Sequence, residues 1–295
     1  MRARILERRV VQGLQSASAL ERVGDFYFVI GDDARDLFRL DLNFNLVATT
    51  RLFASNTSPH ERLAKKIKPD LEAVCCVQAN GKRELLCFGS GSKSPARDVC
   101  YRVDVTNPAS PQNARAVALT ALYDALRANS EIVGAYQLNL EAAACTPDTL
   151  SLFQRGNISG MRTRAKFDTH AFMQYLDAPT APLPTPTLTH FTLPKIKKRH
   201  AGFSAAIEWK DSILFAATVE DTDNEIDDGA TLGSFIGRID AAELRWIAVV
   251  EQNGEIAPVK IEGITLLDAH DNVFQFIAVT DNDDGESEIL HIQVE

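Results

Sequence analysis

The sequence predicts an all-β fold, a five-bladed β-propeller closed by an N-terminal strand that completes the last blade. Three observations carry this expectation. First, one pattern recurs five times. A short strand opens with Ser or Glu followed by a small residue; a turn, a strand of large apolar residues, a polar loop and a third strand follow. The copies start at Ser18, Glu72, Glu141, Ser204 and Glu262, spaced 54, 69, 63 and 58 residues apart. Repeats of this kind mark arrays that bury a core only by stacking on one another. Second, the strands are apolar on both faces: Phe26, Phe28 and Ile30 alternate with Tyr27 and Val29. That composition suits sheets covered on both sides. Third, each of the first four repeats has room for four strands and the last for three, while the N-terminus holds one strand to spare. Pairing the spare strand with the last repeat removes an exposed edge.

Taken in order, residues 5–14 form that spare strand. Repeat one supplies SALERV, DFYFVIGD, DLFRLDL and LVATTRLF, and residues 54–69 read as a polar, basic connecting loop. Repeat two follows, with its fourth strand near 116–122, then a weakly helical or looped segment at 123–135. Repeat three leads into residues 169–199, where five prolines and the basic run KIKKRH predict an extended surface excursion between blades three and four. A linker between two domains is the alternative there, and a sixth, degenerate blade within 123–135 or 169–199 is the rival ring. Because the repeat resumes beyond the excursion, residues 1–295 are expected to form a single domain.

The formal charge of −9 argues against non-specific binding to nucleic acid or to an anionic membrane. No stretch approaches the roughly 18 apolar residues of a membrane helix. The charged N-terminus lacks the apolar core of a secretory signal. Cys75, Cys76, Cys87, Cys100 and Cys145 are odd in number, sit among apolar neighbours and lack zinc-type spacing. They read as reduced core thiols of a cytoplasmic protein.

In a propeller the first strand of each blade lines the central channel. Ser18, Glu72, Glu141, Ser204 and Glu262 hold equivalent positions, so they are expected to face one axis, three carboxylates among them. At an effective dielectric of about 20, two carboxylates 4–5 Å apart repel by roughly 3–4 kcal/mol. Either their pKa values rise or a cation sits between them. The five offer only hard oxygens, which suit calcium and disfavour zinc or copper. A water-filled polar tunnel, or protonated glutamates bonded to one another, is the alternative.

Loops after the second strands are expected to form a rim, basic on one side and acidic on the other. Lys93, Arg97, Arg155 and Arg164 supply the basic side; Asp32, Asp221 and Asp281 supply the acidic side, with Asp228, Asp283 and Asp284 in the same loops. These are the candidate substrate-binding residues, since Arg forks and loop N–H groups suit a small anionic molecule such as a phosphate. A solvated rim of turn-forming residues is the plain alternative. GSGSK lacks P-loop spacing, no GxSxG elbow occurs, and the six histidines are scattered. No catalytic residue can be assigned.

The order Ser, Glu, Glu, Ser, Glu, one per repeat, resembles the soluble calcium-activated apyrases. So do the strings LEAV at 71–74, LEAA at 140–143, GFSAA at 202–206 and KIEGI at 260–264. The resemblance implies a five-bladed propeller with calcium on its axis that hydrolyses nucleoside di- and triphosphates. The chain departs from that family in lacking a secretory signal and in its loops, so no catalytic residue is carried over. The whole chain also looks like a group of bacterial propeller proteins of unknown function. Two classes of function follow. One is a calcium-dependent hydrolase acting on a phosphate anhydride or ester in a central funnel, or on a lactone or ester. The other is a non-catalytic binding or scaffold module in which calcium only locks the ring.

Overall fold

The computed structural model describes residues 1–54, 62–79, 81–223, 229–282 and 286–295. The chain is all-β with a propeller-like arrangement of sheets. It begins with β1 (Ala3–Val11) and then lays down an antiparallel meander of β2 (Ala17–Val23), β3 (Phe26–Gly31), β4 (Asp36–Leu40) and β5 (Leu46–Arg51). A second meander holds β6 (Leu71–Ala79), β7 (Lys82–Gly89), β8 (Val99–Asp104) and β9 (Gln112–Ala118), followed by α1 (Thr120–Arg127) and α2 (Ser130–Val133). The third contains β10 (Leu140–Cys145), β11 (Thr149–Gln154), β12 (Thr163–Asp168) and, beyond α3 (Thr169–Asp177), β13 (Thr187–His190). A short hairpin of β14 (Lys195–Ile196) and β15 (Arg199–His200) leads to β16 (Gly202–Trp209), β17 (Ser212–Asp221), β18 (Ala230–Asp240) and β19 (Glu243–Gln252). After β20 (Glu255–Ile256) come β21 (Ile261–His270), β22 (Val273–Asp281) and β23 (Ser287–Val294).

The N-terminal strand runs antiparallel to β23 from Ala3↔Val294 to Val11↔Ser287. It also touches β19 in parallel through Ala3↔Val250 and Arg4↔Glu251, which joins the last two groups of strands into one nine-stranded sheet. The first strands pack in sequence, β2 on β6, β6 on β10, β10 on β16, β16 on β21, and β21 back on β2. Turn chemistry sets the registers. Asp271 and Asn272 take φ of 52° and 63°, the two left-handed positions of the tight turn that twist-matched hairpins use. Asp and Asn tolerate that region better than other residues with a Cβ.

Five apolar clusters fill the spaces between neighbouring groups of strands. The alternation around Tyr27 explains how. Phe28 and Ile30 face the sheet of β6–β9, whereas Tyr27 and Val29 face the other way, toward Ile277 and Val279. Both faces of one strand are thus buried.

Two stretches differ from expectation. The fourth strand of the second sheet ends at Ala118, and 120–127 is helical, because Leu122, Tyr123 and Leu126 turn their common face onto the core. The proline-rich stretch is not wholly extended: α3 occupies its start, capped by Asp168, whose Oδ1 accepts from Ala171 N at 2.7 Å. Phe172 then buries itself against Phe88 and Phe167. Prolines 182, 184 and 186 precede β13, an edge strand, where a missing N–H is tolerated. Among the described residues no helix is long and apolar enough to cross a membrane.

Candidate functional site

Each first strand breaks its register at the same place near its start, and β21 breaks a second time between Leu266 and Asp268. The shared breaks fall between Ala17 and Ala19, Leu71 and Ala73, Leu140 and Ala142, Phe203 and Ala205, and Ile261 and Gly263. The residues left out of the ladder are Ser18, Glu72, Glu141, Ser204 and Glu262. A bulge frees one residue from pairing and re-aims its side chain, which is how strands present groups to a site. The small residues that follow, Ala19, Ala73, Ala142, Ala205 and Gly263, together line a narrow axial space of about 10 Å³. Gly263 is required there: a Cβ would meet Leu20 N at 2.6 Å.

The five bulged residues divide by chemistry. Glu72, Glu141 and Glu262 turn into one cavity of about 150 Å³, which Ser18 also lines. The two serines use their protons to stitch neighbouring sheets. Ser18 Oγ donates to Leu71 O, and Ser204 Oγ donates to Ile261 O at 2.6 Å. Ser204 lies off the cavity lining among the described residues.

Seven carboxylates and six cationic side chains line the cavity, and they form two groups. In the first, Asp32, Asp70 and Glu72 each place a carboxylate oxygen within 4.8 Å of the others. Lys68 Nζ donates to Asp32 Oδ2 and lies 2.9 Å from Asp70 Oδ1. Asp70 Oδ2 accepts from Arg97 Nη1 and, at 2.6 Å, from Ser90 Oγ. Burial pushes the Asp32 carboxyl up to about 6 against the pull of Lys68. Burial, then the charges of Glu141, Asp70 and Asp32, raise that of Glu72 well above the ordinary range.

In the second group, Glu141 Oε1 accepts from Asn139 Nδ2 at 2.6 Å and from Arg155 Nη1 at 3.2 Å. Arg155 Nη2 also donates to Glu220 Oε2. Lys260 Nζ stands 3.4 Å from Glu262 Oε1 and 3.6 Å from Glu220 Oε1. Burial raises the carboxyls of Glu141 and Glu262, opposed by Arg155 and Lys260. Among the described residues, the buried carboxylate oxygens Asp32 Oδ1, Asp33 Oδ1, Glu220 Oε1 and Glu262 Oε2 have no hydrogen-bond partner.

Of the rim residues read from sequence, Asp32, Arg97, Arg155 and Asp281 line the cavity. Lys93, Arg164 and Asp221 do not. Lys93 is exposed on its loop. Arg164 lies toward the opposite ends of the strands, with Nε donating to Ser151 Oγ at 2.8 Å and Nη1 to Ala241 O at 3.0 Å. Asp221 is exposed and pairs with Arg199 at 2.7 Å, while its neighbour Glu220 is the buried one, since β17 alternates its faces. Asp228, Asp283 and Asp284 lie outside the described residues. Among the described residues, charges of opposite sign interleave around the cavity instead of separating into a basic and an acidic side, because each buried charge needs a partner.

Sequence reasoning missed Asp70, Asn139 and Lys260. All three stand two residues before a bulged glutamate and line the same cavity. That spacing is the signal: each stands just ahead of its strand, two residues before the bulged glutamate. The oxygen-only set around Asp32, Asp70 and Glu72, with no His or Cys among the described lining residues, fits a hard cation such as calcium.

The chain is similar in fold to Myxococcus xanthus glutaminyl cyclase, at 10% identity and a TM-score of 0.53, over 99% of this chain and 97% of that one. It is also similar to a bifunctional GH43-CE protein of Bacteroides eggerthii, at 12% identity and a TM-score of 0.51, over 96% of this chain and 34% of that one. The GH43 endo-arabinanase of Bacillus licheniformis matches at 12% identity and a TM-score of 0.47, over 96% and 94%. At these identities the likeness to the first two speaks to the propeller-type fold alone. No curated protein matches the chain in sequence. The profile described as "Family of unknown function (DUF6929)" matches residues 13–294, and the chain belongs to that family.

Proposed function

We propose that the chain is a five-bladed propeller, with β1 completing the last blade, that holds calcium in the axial cavity and hydrolyses a phosphate ester or anhydride there. The observation that carries this reading is the convergence of Asp32, Asp70 and Glu72 within 4.8 Å in a cavity also walled by Arg97, Arg155 and Lys260. Reading the nine-stranded sheet as two four-stranded blades joined by the short β1–β19 contact gives the five blades. The string likeness to the soluble calcium-activated apyrases points the same way. When bound, calcium would polarise a phosphoryl oxygen. Ser18 and Ser204, carried over from the sequence ring, would contribute by holding the inner strands at the distance the glutamates need. Arg97 and Arg155 would orient the anion. Glu262, whose carboxyl burial raises and whose Oε2 lacks a partner, would give a proton to the leaving oxygen. All five cysteines are free, which supports placing the protein in the reducing cytoplasm.

The test joins a thermal-shift series in calcium and in chelator with phosphate release from nucleotides and phosphate monoesters, lactones serving as the alternative substrates. Calcium should raise the melting temperature, and Glu72→Gln should abolish the rise. Unchanged melting at millimolar calcium, with no turnover of any substrate, removes the proposal. One observation favours a second reading. Glu141, Glu220 and Glu262 are already paired with Arg155 and Lys260, which is the pattern of a structural network. As a binding module the protein would gain stability from calcium and an anion without consuming either.

A further inference from the structure

Resting on that calcium reading, we infer that Lys68 is a built-in competitor for the cation site, so that calcium must displace its ammonium and thereby frees it to bind the anionic ligand. The side chain is 11% exposed and reaches in from the segment 62–70. That segment is strapped over the cavity: Leu63 N donates to Asp33 O at 2.9 Å, and Arg62 Nε donates to Asp33 Oδ2. Lys68 Nζ then sits between Asp32 and Asp70, two of the three clustered carboxylates.

Occupancy of the cluster is exclusive on two counts. Asp70 Oδ2 is already taken by Arg97 and Ser90, which leaves Oδ1, and Oδ1 faces Lys68. Charge decides the rest. With all three carboxylates ionised, as a bound divalent ion would hold them, Lys68 and Arg97 leave one net negative charge on the cluster. With the ammonium withdrawn they keep two, which calcium matches. The cavity holds acceptors ready for such a change. Glu262 Oε2 is buried without a hydrogen-bond partner, in a residue 4% exposed, and Asp32 Oδ1 is likewise unpartnered. Lys68 released from Asp32 and Asp70 remains tethered at the wall, where its ammonium joins the other lining cations, Arg97 and Arg155 among them. Cation and anion then bind with positive coupling, and the coupling is the same whichever binds first.

Calorimetric titration of calcium chloride into the full-length protein and into Lys68→Met tests this, followed by inorganic phosphate with and without saturating calcium. Lys68→Met should bind calcium at least tenfold more tightly. Phosphate should bind the wild type at least fivefold more tightly in calcium, and Lys68→Met should lose that gain. In chelator the variant should melt lower than wild type, because Asp32 Oδ2 and Asp70 Oδ1 then lose the ammonium between them, and calcium should restore it. If Lys68→Met does not fold, Lys68→Gln, which keeps a donor without the charge, carries the same expectation. Calcium binding by wild type with no tightening in either variant overturns the role of Lys68 and leaves the calcium reading standing. No calcium binding by any form overturns both.

Discussion

Arg155→Met tests whether the axial cavity is held together by charge. Arg155 is 6% exposed and ties Glu141 to Glu220, residues that are themselves 4% exposed and come from different sheets. Methionine keeps the aliphatic stem and removes the guanidinium. Breaking a buried pair on one side costs about 3–5 kcal/mol, because the remaining charge loses its partner and not its burial. Here Asn139 still donates to Glu141 at 2.6 Å and Lys260 stays 3.6 Å from Glu220, which places the cost near the lower end, about 3 kcal/mol. For a chain of this size that lowers the melting temperature by about 6 °C. The sign with pH follows from the same residues. Arg155 pulls the Glu141 carboxyl down, so its removal lifts that carboxyl further above the ordinary range. A penalty for keeping the group ionised is therefore present at high pH and shrinks as the pH falls through the raised pKa. Urea denaturation at pH 8 and pH 5 measures it. A loss below about 1 kcal/mol at pH 8, or an equal loss at both values, would show that packing of the stem and not charge is what Arg155 contributes.

Two further outcomes are expected. Burial raises the Glu21 carboxyl to about 7 from 4.5, against the Arg22 and Cys76 backbone N–H groups that donate to it. The folded protein then binds a proton that the unfolded chain has released, and wild-type stability falls as the pH rises through that window, by at most about 3 kcal/mol from this group. Glu21→Gln should cancel that share, and a wild-type-to-variant difference that is the same at pH 5 and pH 8 would refute it. Gly263→Ala should lower the urea midpoint by the equivalent of about 1–3 kcal/mol at unchanged slope, because its Cβ would press on Leu20 N at 2.6 Å and on Val279 Cγ2 at 2.8 Å. An unshifted midpoint would mean that β2 and β21 can move apart.

What the sequence made legible was periodic, and what it hid was paired. A glutamate or serine before a small residue, once per repeat, marked each bulge, because the small residue is demanded by the crowding of five inner strands and that demand recurs in every copy. The same logic could have reached Asp70, Asn139 and Lys260, two residues upstream, had the segments before the strands been treated as part of the pattern and not as loops. Lys68 and Glu220 could not have been reached this way. Lys68 is one basic residue among several in RLAKKIKP, and only the fold shows that it, and not Lys65 or Lys66, reaches Asp32 and Asp70. Glu220 and Asp221 are chemically alike neighbours, and the choice between them depends on which face of β17 meets Arg155, 65 residues earlier in the chain. The expectation of a divided rim failed for a related reason. Composition counts charges loop by loop, whereas a buried cavity selects them by contact. A site with seven carboxylates has to recruit cations from other sheets, so the groups that neutralise it are those with the least local sequence signal. The strap bearing Lys68 illustrates the consequence: the ammonium proposed to compete for the cation site belongs to no repeat.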